Sequence, residues 1–175
     1  IGLLFEKHNY LRADKKISSV EKELFERLKN RSASEVEVSR SLQFLLQLMM
    51  QHYEKSVILL LDEYDVPLAK ASTNGYYREM LEIIRAMMST SLKDNPSLCF
   101  AIITGCLRIS KESIFTGTNN FVSDTIADSH LDEYFCFTQK DMDQLLADTD
   151  ARDYADDIKN WYDGYHFGDF DVYCP

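Results

Sequence analysis

Two runs of consecutive apolar residues set the pattern of the chain: Val57–Leu61 (Val-Ile-Leu-Leu-Leu) and Leu98–Ile103 (Leu-Cys-Phe-Ala-Ile-Ile). Neither alternates, and both are too short for a typical helix. Each therefore reads as a strand buried on both faces, as in a parallel sheet with helices above and below. Between them Tyr77, Met80, Leu81, Ile84, Met87 and Met88 recur at helical spacing, predicting a helix from about Tyr76 to Leu92, which Asn95-Pro96 ends. Strand, helix, strand over this distance is a βαβ unit, which favours parallel pairing. Pro67 stops the first strand, and a loop is expected through Ser72-Thr73-Asn74-Gly75.

The flanking segments read as helical. Ser18 and Glu21 fit a capping box that opens a helix through about Lys29, with Leu24, Phe25 and Leu28 on its buried stripe. Ser34 and Glu37 fit a second box, followed by one helix carrying Val38, Leu42, Leu45, Leu46, Met49, Met50 and Tyr53. His52, near its end, reads as a surface or helix-end residue. Downstream, Tyr134–Phe137 fits a short third strand. Thr138 and Asp141 cap a helix to about Leu146. A last helix is expected from Tyr154 to Trp161, with Ile158, Trp161 and Tyr162 packed inward, before a turn at Asp163-Gly164. The expected organisation is one α/β domain: a helical lead-in (1–56), an α/β core (57–137), and a helical end with an aromatic turn (138–175).

Composition narrows the class. The 175 residues are 45% hydrophobic and 27% charged, ordinary for a soluble globular domain. No apolar run approaches the roughly 20 residues of a membrane span, and no signal-peptide pattern opens the chain. A formal net charge of −10 argues against direct nucleic-acid binding, because phosphate backbones would be repelled. Cys99, Cys106, Cys136 and Cys174 form no Cys-x-x-Cys pair and read as reduced, partly buried thiols of a cytoplasmic protein. The chain opens on Ile1 within an apolar stretch and reads as a segment of something longer.

The chemistry gathers at the strand ends. Asp62 and Glu63 follow the first run directly, and an apolar strand ending in Asp-Glu has the Walker B form. A carboxylate at the strand tip can hold Mg²⁺, usually through water. The next one can polarise the water that attacks a γ-phosphate. The competing reading is a pair of solvated acids where a core strand meets a loop. Thr104 ends the second run and would share an edge with Asp62. There it could hydrogen-bond a γ-phosphate or attacking water, or satisfy its own backbone. Arg108 and Lys111 could each face a phosphate or solvent.

Several blocks carry a family resemblance: Leu60-Leu61-Asp62-Glu63-Tyr64-Asp65-Val66-Pro67, then the stretch from Thr104-Gly105 to Thr116-Gly117, then Asn119-Asn120, then Trp161-Tyr162-Asp163-Gly164-Tyr165-x-Phe167-Gly168. In this order they resemble the predicted AAA-ATPase-like domain family of bacteria, over roughly Ser34 to Pro175. In that family this region is typically followed by a PD-(D/E)XK nuclease-like domain. The resemblance implies a partial P-loop NTPase fold of AAA-like type: a parallel βαβ core with N-terminal helices and a C-terminal helical portion. It makes Asp62 the metal-binding acid, Glu63 the catalytic acid and Thr104 a nucleotide contact at the end of the sensor strand, with ATP and Mg²⁺ as ligands of the parent protein. Arg108, in its Thr-Gly-x-x-Arg context, is read here as a candidate nucleotide contact, to phosphate in this chain or acting in trans.

The chain departs from the family pattern in one large respect. No Gly-x-x-x-x-Gly-Lys-Ser/Thr motif occurs in it, and that loop supplies the phosphate cradle. The expectation is that this segment alone neither binds ATP tightly nor hydrolyses it. Without the first strand of that fold class beside it, Leu98–Ile103 would also expose an apolar edge and invite self-association. The alternative function is a degenerate NTPase-fold module that acts through protein contacts. A third reading, direct metal-dependent hydrolysis by Asp62, Glu63 and Asp65, lacks a second acidic or His cluster to support it.

Overall fold

The computed structural model describes residues 1–106, 114 and 121–174. They fall into two compact units, 1–119 and 120–175.

In the first unit, helices α1 (Gly2–Lys7), α2 (Ser19–Lys29), α3 (Glu35–Ser39) and α4 (Ser41–Tyr53) precede β1 (Val57–Leu61). Both capping boxes form as the spacing predicts: Ser18 with Glu21, and Ser34 with Glu37. The helix expected to run unbroken from the second box divides at Arg40. Ser39 and Ser41 turn their hydroxyls onto the carbonyls of Val36 and Val38, at 2.9 and 2.7 Å, and this local bonding competes with the helical ladder. Phe5, Phe25, Phe44 and Leu48 close the core of these helices, with Phe5 edge-on to Phe25 at 5.0 Å. His52 Nδ1–H donates to the Asp14 carboxylate at 2.7 Å, holding the segment after α1 against the end of α4.

Helix α5 (Val66–Asn74) occupies most of the stretch expected to be loop. Its signals are in the sequence. Pro67 sits just inside the start, Leu68 and Ala71 are buried one turn apart, and Gly75 ends the helix at φ +81°. Helix α6 (Tyr77–Leu92) then leads to β2 (Leu98–Ile103). The two strands pair in parallel, Leu59 opposite Ala101 and Leu61 opposite Ile103, which forms the expected βαβ unit. On one face Leu59 joins Leu42 and Met87, while Leu61 and Ile103 pack on the cluster of Leu68, Ile84, Met88 and Ile114.

The other face overturns the expectation of two-sided burial. Ile58, Leu60, Phe100 and Ile102 stand next to one another in register and are all exposed, Leu60 to 69%. The apolar runs are built for cover on both sides, and the described residues supply it on one.

The second unit is not simply helical. After the turn at Asp132–Tyr134, β3 spans only Phe137–Thr138, so most of the expected strand Tyr134–Phe137 is absent. Next come α7 (Gln139–Asp148), capped by Thr138 with Asp141 as predicted, and α8 (Ala155–Tyr162). A hairpin of β4 (Tyr165–Phe167) and β5 (Phe170–Tyr173) completes an antiparallel sheet ordered β3-β5-β4. The buried Asp132 carboxylate accepts from the backbone N–H of Asp169 at 2.8 Å and of Glu133 at 2.9 Å, tying the turn to the hairpin. Cys136 and Cys174 form a disulfide, against the reading of four reduced thiols. They stand opposite each other, one step beyond the Phe137–Tyr173 pair, with Cα atoms 5.4 Å apart. Cys99 and Cys106 are free and exposed. The inward packing expected of α8 also fails: none of its residues is buried, and Trp161 is 82% exposed. No helix among the described residues is long and apolar enough to cross a membrane.

The second capping box carries a pH signature. The Arg27 guanidinium, 2.5 Å from Glu37, and then the Ser34 backbone N–H hold the Glu37 carboxyl down at about 2. A carboxyl depressed by folding stabilises above its ordinary titration range and loses that contribution as pH falls through its folded value. Thermal melts should therefore fall off between about pH 4.5 and 2 less steeply for Glu37→Gln than for the parent chain. Equal acid-side slopes would contradict this assignment.

Candidate functional site

The parallel ladder continues past the ends of the two strands. Thr104 N–H donates to Leu61 O at 2.9 Å, and Tyr64 N–H donates to Thr104 O at 3.1 Å. This register brings Asp62 and Thr104 together, and the Thr104 hydroxyl donates directly to Asp62 Oδ1. The neighbouring placement read from the sequence is thus present, with a different emphasis for Thr104. Its proton is committed to Asp62, so its first effect is to fix the carboxylate, leaving the second oxygen of Asp62 and its own lone pairs for other partners.

Glu63 follows at φ +53°, a left-handed conformation uncommon for a residue with a side chain. Its carbonyl accepts from Val66 N–H at 3.1 Å, closing the turn that carries the chain from β1 into α5. Asp62 and Glu63 are both exposed. Asp65 is buried at the start of α5, where its carbonyl accepts from Leu68 and Ala69 N–H. Arg108 and Lys111, the cationic candidates, lie outside the described residues.

Gly105 is the site residue that sequence reading passed over. A Cβ there would lie 2.6 Å from Asp65 Oδ1 and 2.7 Å from the Tyr64 ring. Tyr64 and Asp65 thus fold over the backbone just past Thr104, and only glycine leaves them room. The Thr-Gly dipeptide at a strand end was the available signal.

The donor set suits magnesium in one limited way. Asp62 offers a single exposed, oriented, hard oxygen, which fits an ion that keeps most of its water and is carried by nucleotide phosphates. Among the described residues no group of three His, Cys, Asp or Glu could hold a metal ion, so the edge is no cage in its own right.

An α/β unit with an acid pair and a threonine on the carboxyl edge of parallel strands is one in which ligands bind at the strand ends. The family described as predicted AAA-ATPase matches residues 5–115, more than half of the chain, and the chain belongs to that family. The match includes the N-terminal helices, ahead of where the motif resemblance begins, and stops before the Trp-Tyr-Asp-Gly-Tyr block. The chain is also 32% identical over 120 residues to an uncharacterized protein encoded in the vnfD 5′ region of Azotobacter chroococcum mcd 1. That alignment covers 68% of this chain and 23% of the relative, so the chain spans well under two thirds of the relative's length. No solved structure matches.

Replacing Gly105 with Ala should displace Tyr64 and Asp65 and cost about 1–3 kcal/mol of stability, the usual range for overpacking. Chemical denaturation reads this directly, and an unchanged midpoint would show that the two side chains move aside freely.

Proposed function

We propose that this chain supplies the metal-binding and water-activating edge of an ATP-hydrolysing site, completed by a phosphate-binding loop elsewhere in the polypeptide of a longer protein. The observation that carries the reading is the Thr104 hydroxyl donating to Asp62 at the shared carboxyl end of β1 and β2, with Glu63 next in the chain. Family membership supports it. In this reading Asp62 is the metal ligand, acting through the metal's water shell. Thr104 holds the Asp62 carboxylate in place and offers its lone pairs to the attacking water. Glu63, on the outward turn, accepts that water's proton. Arg108 contacts phosphate. Bound magnesium–nucleotide supplies the electrophilic phosphoryl group and screens its charge. The order of residues suits this division, since each successive one reaches further from the strand tip.

A second reading is a protein-interaction module on a degenerate NTPase fold, and the exposed face of Ile58, Leu60, Phe100 and Ile102 favours it. The same face and the outer edge of β2 are the proposed route of self-association for the chain alone, since unsatisfied strand edges pair readily.

Calorimetry with Mg²⁺–ATP separates the readings when this chain is compared with one extended to include a Gly-x-x-x-x-Gly-Lys-Ser/Thr loop. The ATPase reading expects binding in the longer protein alone. It expects Asp62→Ala to weaken that binding at least tenfold, and Glu63→Gln to preserve it while slowing hydrolysis about 100-fold or more. No binding by either protein would leave the interaction module. Light scattering on the 175-residue chain should give a dimer, and a concentration-independent monomer would remove the self-association proposal.

A further inference from the structure

Helix α8 has an apolar face that no described residue buries. Tyr154, just ahead of it, and Ile158, Trp161 and Tyr162 within it recur at offsets of four, seven and eight, the spacing of one helical side. Such a stripe ordinarily packs into a core. Here Ile158 is only half-buried, the other three are exposed, and Trp161 projects furthest. Asp153 and Asp157 flank the stripe on the side of Trp161, Asp157 one turn before it, and both are exposed.

Charge identifies what would cover this face. The net −10 of the chain is not spread evenly. Residues 1–119 hold 16 Lys and Arg against 15 Asp and Glu, a net +1, whereas residues 120–175 hold 3 against 14, a net −11. A second copy would bring two such acidic units together, and an anionic surface would be repelled. A cation-bearing segment is attracted at long range by the whole unit and at short range by the aromatic faces. Arginine meets both demands better than lysine, because its planar guanidinium stacks on aromatic rings and pairs with a carboxylate through two hydrogen bonds.

We propose that the Tyr154–Ile158–Trp161–Tyr162 face of α8 is a docking surface for an arginine-rich, amphipathic polypeptide segment. The segment's apolar side chains cover Ile158 and Trp161, while its guanidinium groups stack on the tyrosines and pair with Asp153 and Asp157.

Trp161 is the only tryptophan in the chain, so its fluorescence reports this surface alone. The test is titration of the 175-residue chain with a synthetic helical peptide carrying leucine on one side and arginine on the other. A saturable blue shift is expected, with half-saturation rising at least tenfold between about 0.05 and 0.5 M salt as screening increases. Ile158→Ser should weaken the response about tenfold. Asp153→Asn with Asp157→Asn, which touches no packed residue, should do the same, and a lysine version of the peptide should bind less tightly than the arginine one. The proposal is overturned by the absence of a shift, or by an equal shift with a glutamate version of the peptide. It is also overturned if phosphatidylcholine vesicles alone shift Trp161, or if raising the protein concentration does so with a doubling of mass.

Discussion

The candidate site depends on the parallel pairing of β1 with β2. Its register is continued beyond the strands by the Thr104-to-Leu61 and Tyr64-to-Thr104 backbone bonds. Side chains alternate along a strand, so a slip of one residue would send Asp62 and Thr104 to opposite faces and exchange the buried Leu59 for an exposed neighbour. The core clusters under the sheet and the chemistry at its edge are therefore fixed by one choice of register. Asp62 is held by Thr104, the chain turns sharply at Glu63, and Tyr64 and Asp65 close over Gly105, all within a few residues of where the ladder ends.

Much of this is legible in the sequence. Both strands, α6, the boxes at Ser18 and Ser34, and the cap at Thr138 follow from period and capping chemistry, because those signals lie within a few residues of what they determine. The pairing of Asp62 with Thr104 followed from βαβ geometry together with the position of each residue at the end of its run. Helix α5 differs from the expected loop although Pro67 and Gly75 mark its ends, because a proline directly after a strand signals a stop as readily as a helix start. The break at Arg40 turns on where two serine hydroxyls bond, a choice that hydrophobic period does not record. The Cys136–Cys174 bridge joins residues 38 apart, and only the β3–β5 ladder brings them opposite each other.

A different kind of misreading concerns cover. Continuous apolar runs state that a strand tolerates burial on both faces; they do not state which residues provide it. In β1 and β2 the face carrying Leu59, Leu61 and Ile103 meets α4 and α6, while Ile58, Leu60, Phe100 and Ile102 are left exposed by the described residues. Helix α8 repeats the situation on a smaller scale, with an amphipathic stripe and no buried residue. Periodicity reports the amphipathicity of an element. Burial is a property of its neighbours, and it has to be established for each face separately.

The uneven charge alters an inference that total composition made look general. The net −10 predicts repulsion of phosphate, but all of that imbalance belongs to residues 120–175, and residues 1–119 are close to neutral. The argument against nucleic-acid contact thus holds strongly for the unit carrying α8 and has little force for the unit carrying Asp62. The near-neutral unit is also the one whose proposed ligand is a phosphorylated anion. An acid pair at a strand edge can take part in binding such a ligand only where the surrounding field does not repel it and a cation bridges the remaining charge. In the proposed reading, the near-neutral charge balance of residues 1–119 is the electrostatic condition under which Asp62 and Glu63 would serve a nucleotide.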